Sequence, residues 1–188
     1  MPSKVGWIAL AVSLLSFGLS GYVFYYTEYR GPDIHLAVGH DVLITKTTAL
    51  GPRFAVTCSF TNEGARQSVI TDAALDLDSP KITLPLSMVS NTFGDWEENN
   101  GVFKSSPTKF SLPVPIPIKA HGEAAAVLWF VPLEKFDLKA IRHQITIRAM
   151  SQEGTWERHF VLNVSQTDLK NMDATPYADH PIRVEDQK

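Results

Sequence analysis

Cysteine is nearly missing from this sequence: Cys58 is the single thiol among 188 residues. One thiol closes no internal disulfide, so a disulfide-stapled extracellular module is excluded and stability must come from packing. No cysteine lies near the N-terminus, which excludes a lipoprotein anchor. Charge of one sign is lacking too. The 17 basic and 20 acidic residues are mixed along the chain and leave a net charge of -3, so there is no basic field to draw nucleic acid. No Lys/Arg cluster beside the N-terminal apolar run offers a grip on anionic lipid. Internal repeats, low-complexity runs and the local signature of a strained nucleophile turn are absent as well. After Gly31 there is almost no helical periodicity.

What is present begins with a hydrophobic run. Residues 6–26 read GWIALAVSLLSFGLSGYVFYY, and no charged residue lies between Lys4 and Glu28. About 22 helical residues at about 1.5 Å each span about 33 Å, slightly more than the hydrocarbon core of a bilayer. A cleaved signal peptide would have a shorter apolar region and an A-x-A-like site, and cutting after Ser16-Phe17-Gly18 would leave an exposed apolar N-terminus. The run is therefore read as a retained transmembrane anchor over residues 5–27, behind a cytoplasmic stub of residues 1–4. Trp7 marks one boundary, and Tyr22, Tyr25, Tyr26 and Tyr29 crowd the other, as amphipathic rings do at headgroup level. The short N-terminal stub favours an N-in, C-out arrangement in a bacterial inner membrane, with the larger part in the periplasm. Gly6, Ala9, Ser13, Ser16 and Ser20 recur at spacings of three and four, which puts them on one helix face where a second helix could pack closely.

Residues 28–168 read as one exported domain, because roughly 140 residues suffice for one real core and not for two. Strand patterns dominate. Phe54, Val56, Cys58 and Phe60 alternate with polar or small residues, and Val69, Thr71, Ala73, Leu75 and Leu77 resume the alternation after the turn signal Thr61-Asn62-Glu63-Gly64. This suggests neighbouring strands. Residues 110–118 alternate apolar residues with prolines, which suits an edge strand or a polyproline segment. Further strands are expected over 124–131, 143–150 and 156–164, the last two joined across Gly154. With about seven to nine short strands, the fold class is mainly β: a transmembrane helix followed by an antiparallel immunoglobulin-like β-sandwich. Ser165-Gln166-Thr167-Asp168 caps a brief helix through Met172. The remainder, within residues 169–188, reads as an extended or disordered tail.

The search for chemistry returns little. Cys58 shares the apolar face of Phe54, Val56 and Phe60 and reads as a buried core residue. Among six histidines, His35 and His40, flanked by Asp33 and Asp41, form the densest group. Residues an odd number apart face opposite ways on a strand, so these two make a common metal site only if Gly39 bends the chain. Asp76 and Asp78 lack the companions of a calcium loop. No catalytic, cofactor-binding or metal-ligating residue is assigned. The loop around Phe93 and Trp96 carries two aromatics in an acidic setting, either partner contacts or a plug over one end of the sandwich.

The layout resembles membrane-anchored immunoglobulin-like proteins, among them the copper-delivery proteins of cytochrome oxidase assembly. The chemistry of that family rests on a C-x-C pair suited to Cu(I), and the corresponding stretch here, Val56-Thr57-Cys58-Ser59-Phe60, has one sulfur. The resemblance implies a layout without copper transfer. The expected function is a non-catalytic, single-pass accessory or stabilising subunit of a larger membrane complex, whose partners are the bilayer and other membrane subunits and not nucleic acid. The alternative is a tethered periplasmic module that binds a soluble ligand or metal. An enzyme is the least expected class.

Overall fold

In the computed structural model, residues 4–48, 51–90, 96–99, 102–105 and 115–186 are described. The apolar run forms α1 (Lys4–Phe24), which continues into a π-helical turn (Tyr25–Tyr29). Residues Gly6–Tyr29, with a mean hydropathy of 1.8, make one helical stretch long and apolar enough to cross a membrane. Side chains 6–29 are all solvent-exposed.

Among the described residues twelve strands follow. They are β1 (Ile34–Thr48), β2 (Gly51–Asn62), β3 (Ser68–Ile70), β4 (Asp72–Asp78), β5 (Lys81–Ser90), β6 (Trp96–Asn99), β7 (Val102–Ser105), β8 (Ile116–Ile118), β9 (Glu123–Phe130), β10 (Arg142–Met150), β11 (Thr155–Asn163) and β12 (His180–Asp186). A short helix, α2 (Gln166–Ala174), lies between β11 and β12. Eight strands close into an antiparallel barrel in the order β1-β12-β11-β10-β4-β5-β9-β2, while β3 pairs with β8 and β6 with β7 outside it.

The barrel interior follows directly from the period-two pattern. Val42 and Ile44 on β1 point inward with Phe54, Val56, Cys58 and Phe60 on β2, and all are fully buried. Leu75 and Leu77 on β4, Ile145 and Ile147 on β10, and Phe160 and Leu162 on β11 meet them from the far wall. An eight-stranded barrel is just wide enough for its side chains to fill, and four large rings, Phe54, Phe60, Phe130 and Phe160, are completely enclosed here. The centre is a packed core.

The closed barrel corrects the expected immunoglobulin-like sandwich. Two packed sheets would leave open edges. Here β5 and β12 each change partner along their length and remove them. The first half of β5 pairs with β4, from Asp78↔Lys81 to Ala74↔Pro85. Its second half pairs with β9, from Leu86↔Phe130 to Ser90↔Val127, with a register shift between Leu86 and Met88. On β12, His180 to Arg183 pair with β1, and Val184 to Asp186 pair with β11. Part of the C-terminal segment read as a tail is therefore a stave of the barrel. Strands β2 and β4, expected side by side across the turn at residues 61–64, lie apart, with β1 and β9 flanking β2.

Other expectations agree with the fold. Strands β10 and β11 pair along their whole length across the turn at Gly154. The helix cap at Ser165 forms a full capping box, in which its Oγ accepts from Asp168 N at 3.1 Å while Asp168 Oδ2 accepts from Ser165 N at 2.8 Å. Of the proline-rich segment, Ile116–Ile118 pairs only with β3, its isoleucines buried and Pro117 outward.

Burial holds the Cys58 thiol up to about 12, because the thiolate would have to form without water or a counter-charge. In mildly alkaline buffer the native protein should therefore resist a thiol reagent such as Ellman's, and should react fully once unfolded in concentrated guanidinium. Rapid labelling of the native protein would contradict this enclosed position.

Candidate functional site at the helix-to-barrel junction

Between the π-turn and β1 only residues 30–33 intervene. Such a linker would normally swivel, and here it is tied down. The Arg30 N–H donates to Tyr25 O at 2.8 Å, closing the helix end, and the Arg30 guanidinium lies over the Tyr26 ring, 5.3 Å from its centroid, while pairing with Asp33 Oδ2. Asn62, at the end of β2, is only 1% exposed. Its Oδ1 accepts from Asp33 N (3.1 Å) and Gly64 N (2.9 Å), and its Nδ2 donates to Arg66 O (2.8 Å) and Lys119 O (3.1 Å). An amide offers two acceptor and two donor positions, and all four are used. One side chain thus binds the linker, the turn after β2 and the turn before β9.

The backbone adds two bonds, Glu63 N to Asp33 O at 2.9 Å and Ala65 N to Arg30 O at 3.1 Å. Gly64 is needed for this approach, since a Cβ there would fall 2.0 Å from Gly31 O and 2.8 Å from Pro32 Cα. The residue type, and not a turn angle, lets the linker lie on the barrel rim.

On the outer face of this rim three side chains converge. The pairing Ile34↔Asn62 and His35↔Thr61 sets Asp33 opposite Glu63, and His35 lies two residues along β1 on the same face. The His35 Nε2 atom is 3.6 Å from Asp33 Oδ1 and 3.8 Å from Glu63 Oε2. His40 does not join them. It is exposed within the irregularity between Val38 and Val42, which adds residues to β1 opposite a continuous β2. Glu63 was missed from the sequence because it is remote from His35 along the chain, and only the register joins them.

The helix residues singled out from the sequence are accounted for in part. Gly6, Ala9, Ser13, Ser16 and Ser20 lie along α1, all exposed, and Ser13 Oγ donates back to Ala9 O at 2.9 Å. Trp7 lies near one end, 63% exposed. At the other end, Tyr22 and Tyr26 have ring centroids 4.6 Å apart and Tyr25 and Tyr26 6.0 Å apart, while Tyr29 meets Phe24 at 5.4 Å. Phe93 lies outside the described residues. Trp96 opens β6, where its backbone pairs opposite Ser105.

A polar cluster that sequence reasoning missed lies on the outer wall. Leu43, Ala55, Val127 and Trp129 are buried there, and the Arg53 guanidinium stacks on Trp129 at 4.8 Å from its centroid. Asp179, 4% exposed, accepts from Thr45 Oγ1 and stands 3.9 Å from Arg53 Nη2. These contacts pin the segment entering β12 against β1 and β2. Elsewhere Asp76 takes a two-pronged bond from Arg148, 2.7 Å to Nε and 3.0 Å to Nη2, which raises the pKa of that guanidinium. Asp78 Oδ1 accepts from Gln144 N at 2.9 Å. Both aspartates bond to neighbouring strands of the barrel wall. A cleft of about 440 Å³ at the opposite end of the barrel is lined by residues including Lys46, Lys135, Leu138, Leu169 and Asp173. It places neither Cys58 nor any histidine among its lining residues.

The fold and junction define a closed eight-stranded barrel with a packed core, carried on an apolar helix through a braced four-residue linker. No family model and no curated protein sequence matches the chain.

Two substitutions test this construction. Replacing Asn62 by alanine strands buried donors and acceptors and should cost about 3 kcal/mol, with new protease sensitivity in the linker. Asp179→Ala should cost about 2 to 3 kcal/mol, below the full penalty for breaking a buried pair because Arg53 retains 29% of its exposure. Equilibrium denaturation measures both, and wild-type stability in either variant would contradict the assigned roles.

Proposed function

We propose that this chain is a non-catalytic, single-pass accessory or stabilising subunit of a larger membrane protein complex, with α1 in the bilayer and the barrel on the periplasmic side of a bacterial inner membrane. The observation that carries the reading is the braced junction between a wholly exposed apolar helix and a packed barrel. A flexible tether would let a domain sample space around its anchor, whereas this linker fixes two surfaces relative to one another. Two contacts held in register bind a common partner far more tightly than either does alone.

The small-residue face of α1 supplies the contact within the bilayer. With Gly6, Ala9, Ser13, Ser16 and Ser20 on one side, a neighbouring helix can approach closely, and the serine hydroxyls can bond across the interface. The tyrosines at the far end set the depth of the helix. The larger assembly is a respiratory, photosynthetic, secretory or envelope complex. The packed core supports a contact role by confining any partner surface to the outside of the domain.

The test is the triple replacement of Ser13, Ser16 and Ser20 by leucine. These changes preserve a spanning helix and fill the close-packing face. In mild-detergent extracts resolved by native electrophoresis, the wild-type chain should migrate with a defined large complex and the variant should run free of it. Migration of the wild-type chain as a free monomer in the mildest detergents would reject the subunit reading.

A further inference from the structure

We propose that Asp33, His35 and Glu63 form a binding site for one borderline divalent cation, Zn²⁺ in the first instance, at the outer rim of the barrel beside the helix exit. One donor atom from each of the three residues lies within 4.8 Å of the other two. The separations, 3.6 Å and 3.8 Å from His35 Nε2 to the two carboxylates, are too long for hydrogen bonds. They are close to the spacing of two donors on one ion: with bonds of about 2.0–2.2 Å in tetrahedral geometry, neighbouring donors stand about 3.3–3.6 Å apart. A small rotation of exposed side chains closes the difference.

The frame beneath these donors is rigid. Asp33 is held at its N–H by Asn62 and at its carbonyl by Glu63 N. Arg30 takes the Oδ2 atom of Asp33, leaving Oδ1 on the side of His35. Arginine therefore acts as the outer partner that orients a ligating carboxylate. It offsets one of the two carboxylate charges, and the other remains to attract a cation.

The donor set selects the metal. One imidazole with two carboxylates suits Zn²⁺, and Cu²⁺ would follow from its greater general affinity. Cu(I) prefers sulfur, and Mg²⁺ and Ca²⁺ prefer oxygen alone. Three protein donors leave a tetrahedral ion at least one position for water. The site is independent of the subunit reading, since it requires no partner and would serve equally in a free protein.

Isothermal titration of Zn²⁺ into the chelator-treated full chain in mild detergent tests the site. One equivalent should bind, with affinity reduced at least about tenfold by His35→Ala and by Glu63→Gln, and unchanged in His159→Ala. Bound Zn²⁺ should also raise the melting temperature of the wild-type chain and not that of Glu63→Gln, an exposed substitution that leaves the backbone frame intact. No binding to the wild-type chain, or equal affinity in the His35 and Glu63 variants, would overturn the proposal.

Discussion

Closure of the hydrogen-bond ladder is the constraint from which the rest follows. An open sheet has two edges that must be paired or protected, and here β5 and β12 solve both by dividing their lengths between two neighbours. Once the ladder is closed, inward positions face one another at short range. Large side chains such as Phe54, Phe60, Phe130 and Phe160 are then fully buried. The interior so built is the domain's main hydrophobic core.

The two polar clusters do different work. Asp179, with Thr45 and Arg53, secures the segment that enters the closing strand. Asn62 secures the entry of the chain into the barrel and so couples the domain to the helix. Both are buried polar side chains with partners far away in sequence, Thr45 and Arg53 for Asp179 and Asp33 and Lys119 for Asn62. Each specifies one arrangement, because any alternative would leave donors or acceptors unmatched in a dry environment.

Legibility in the sequence tracked the range of the interactions. Periods of two residues are local, and the alternation of Phe54, Val56, Cys58 and Phe60 located β2 and its buried face. The cap at Ser165 is also local and was read correctly. The apolar helix was legible from length and composition alone. The architecture was not: the change of partner in β5 leaves no trace in its hydrophobic pattern, and β12 shows only Ile182 and Val184 as alternating apolar residues among a histidine, one proline and charges. Asn62 looked like turn punctuation and is a buried junction. The cluster of His35, Asp33 and Glu63 depends on the register between β1 and β2, which sequence spacing does not encode. His35 and His40 lie apart, but the irregularity between Val38 and Val42 breaks the alternation, so both are exposed and parity is not what separates them.

The pairing of β1 with β12 joins the first strand of the barrel to the last, and this dictates an order of events during biosynthesis. The helix and β1 are made before β12, yet β1 keeps one edge unsatisfied until the final staves have been delivered. Closure is a contact of very large sequence separation, and such contacts make folding slow. Through that interval the nascent chain carries open strand edges that other chains can capture. A helix already lodged in a bilayer would hold it apart from its neighbours while the ring is incomplete, so the anchor would act as a chaperone in time before it acts as a tether in space.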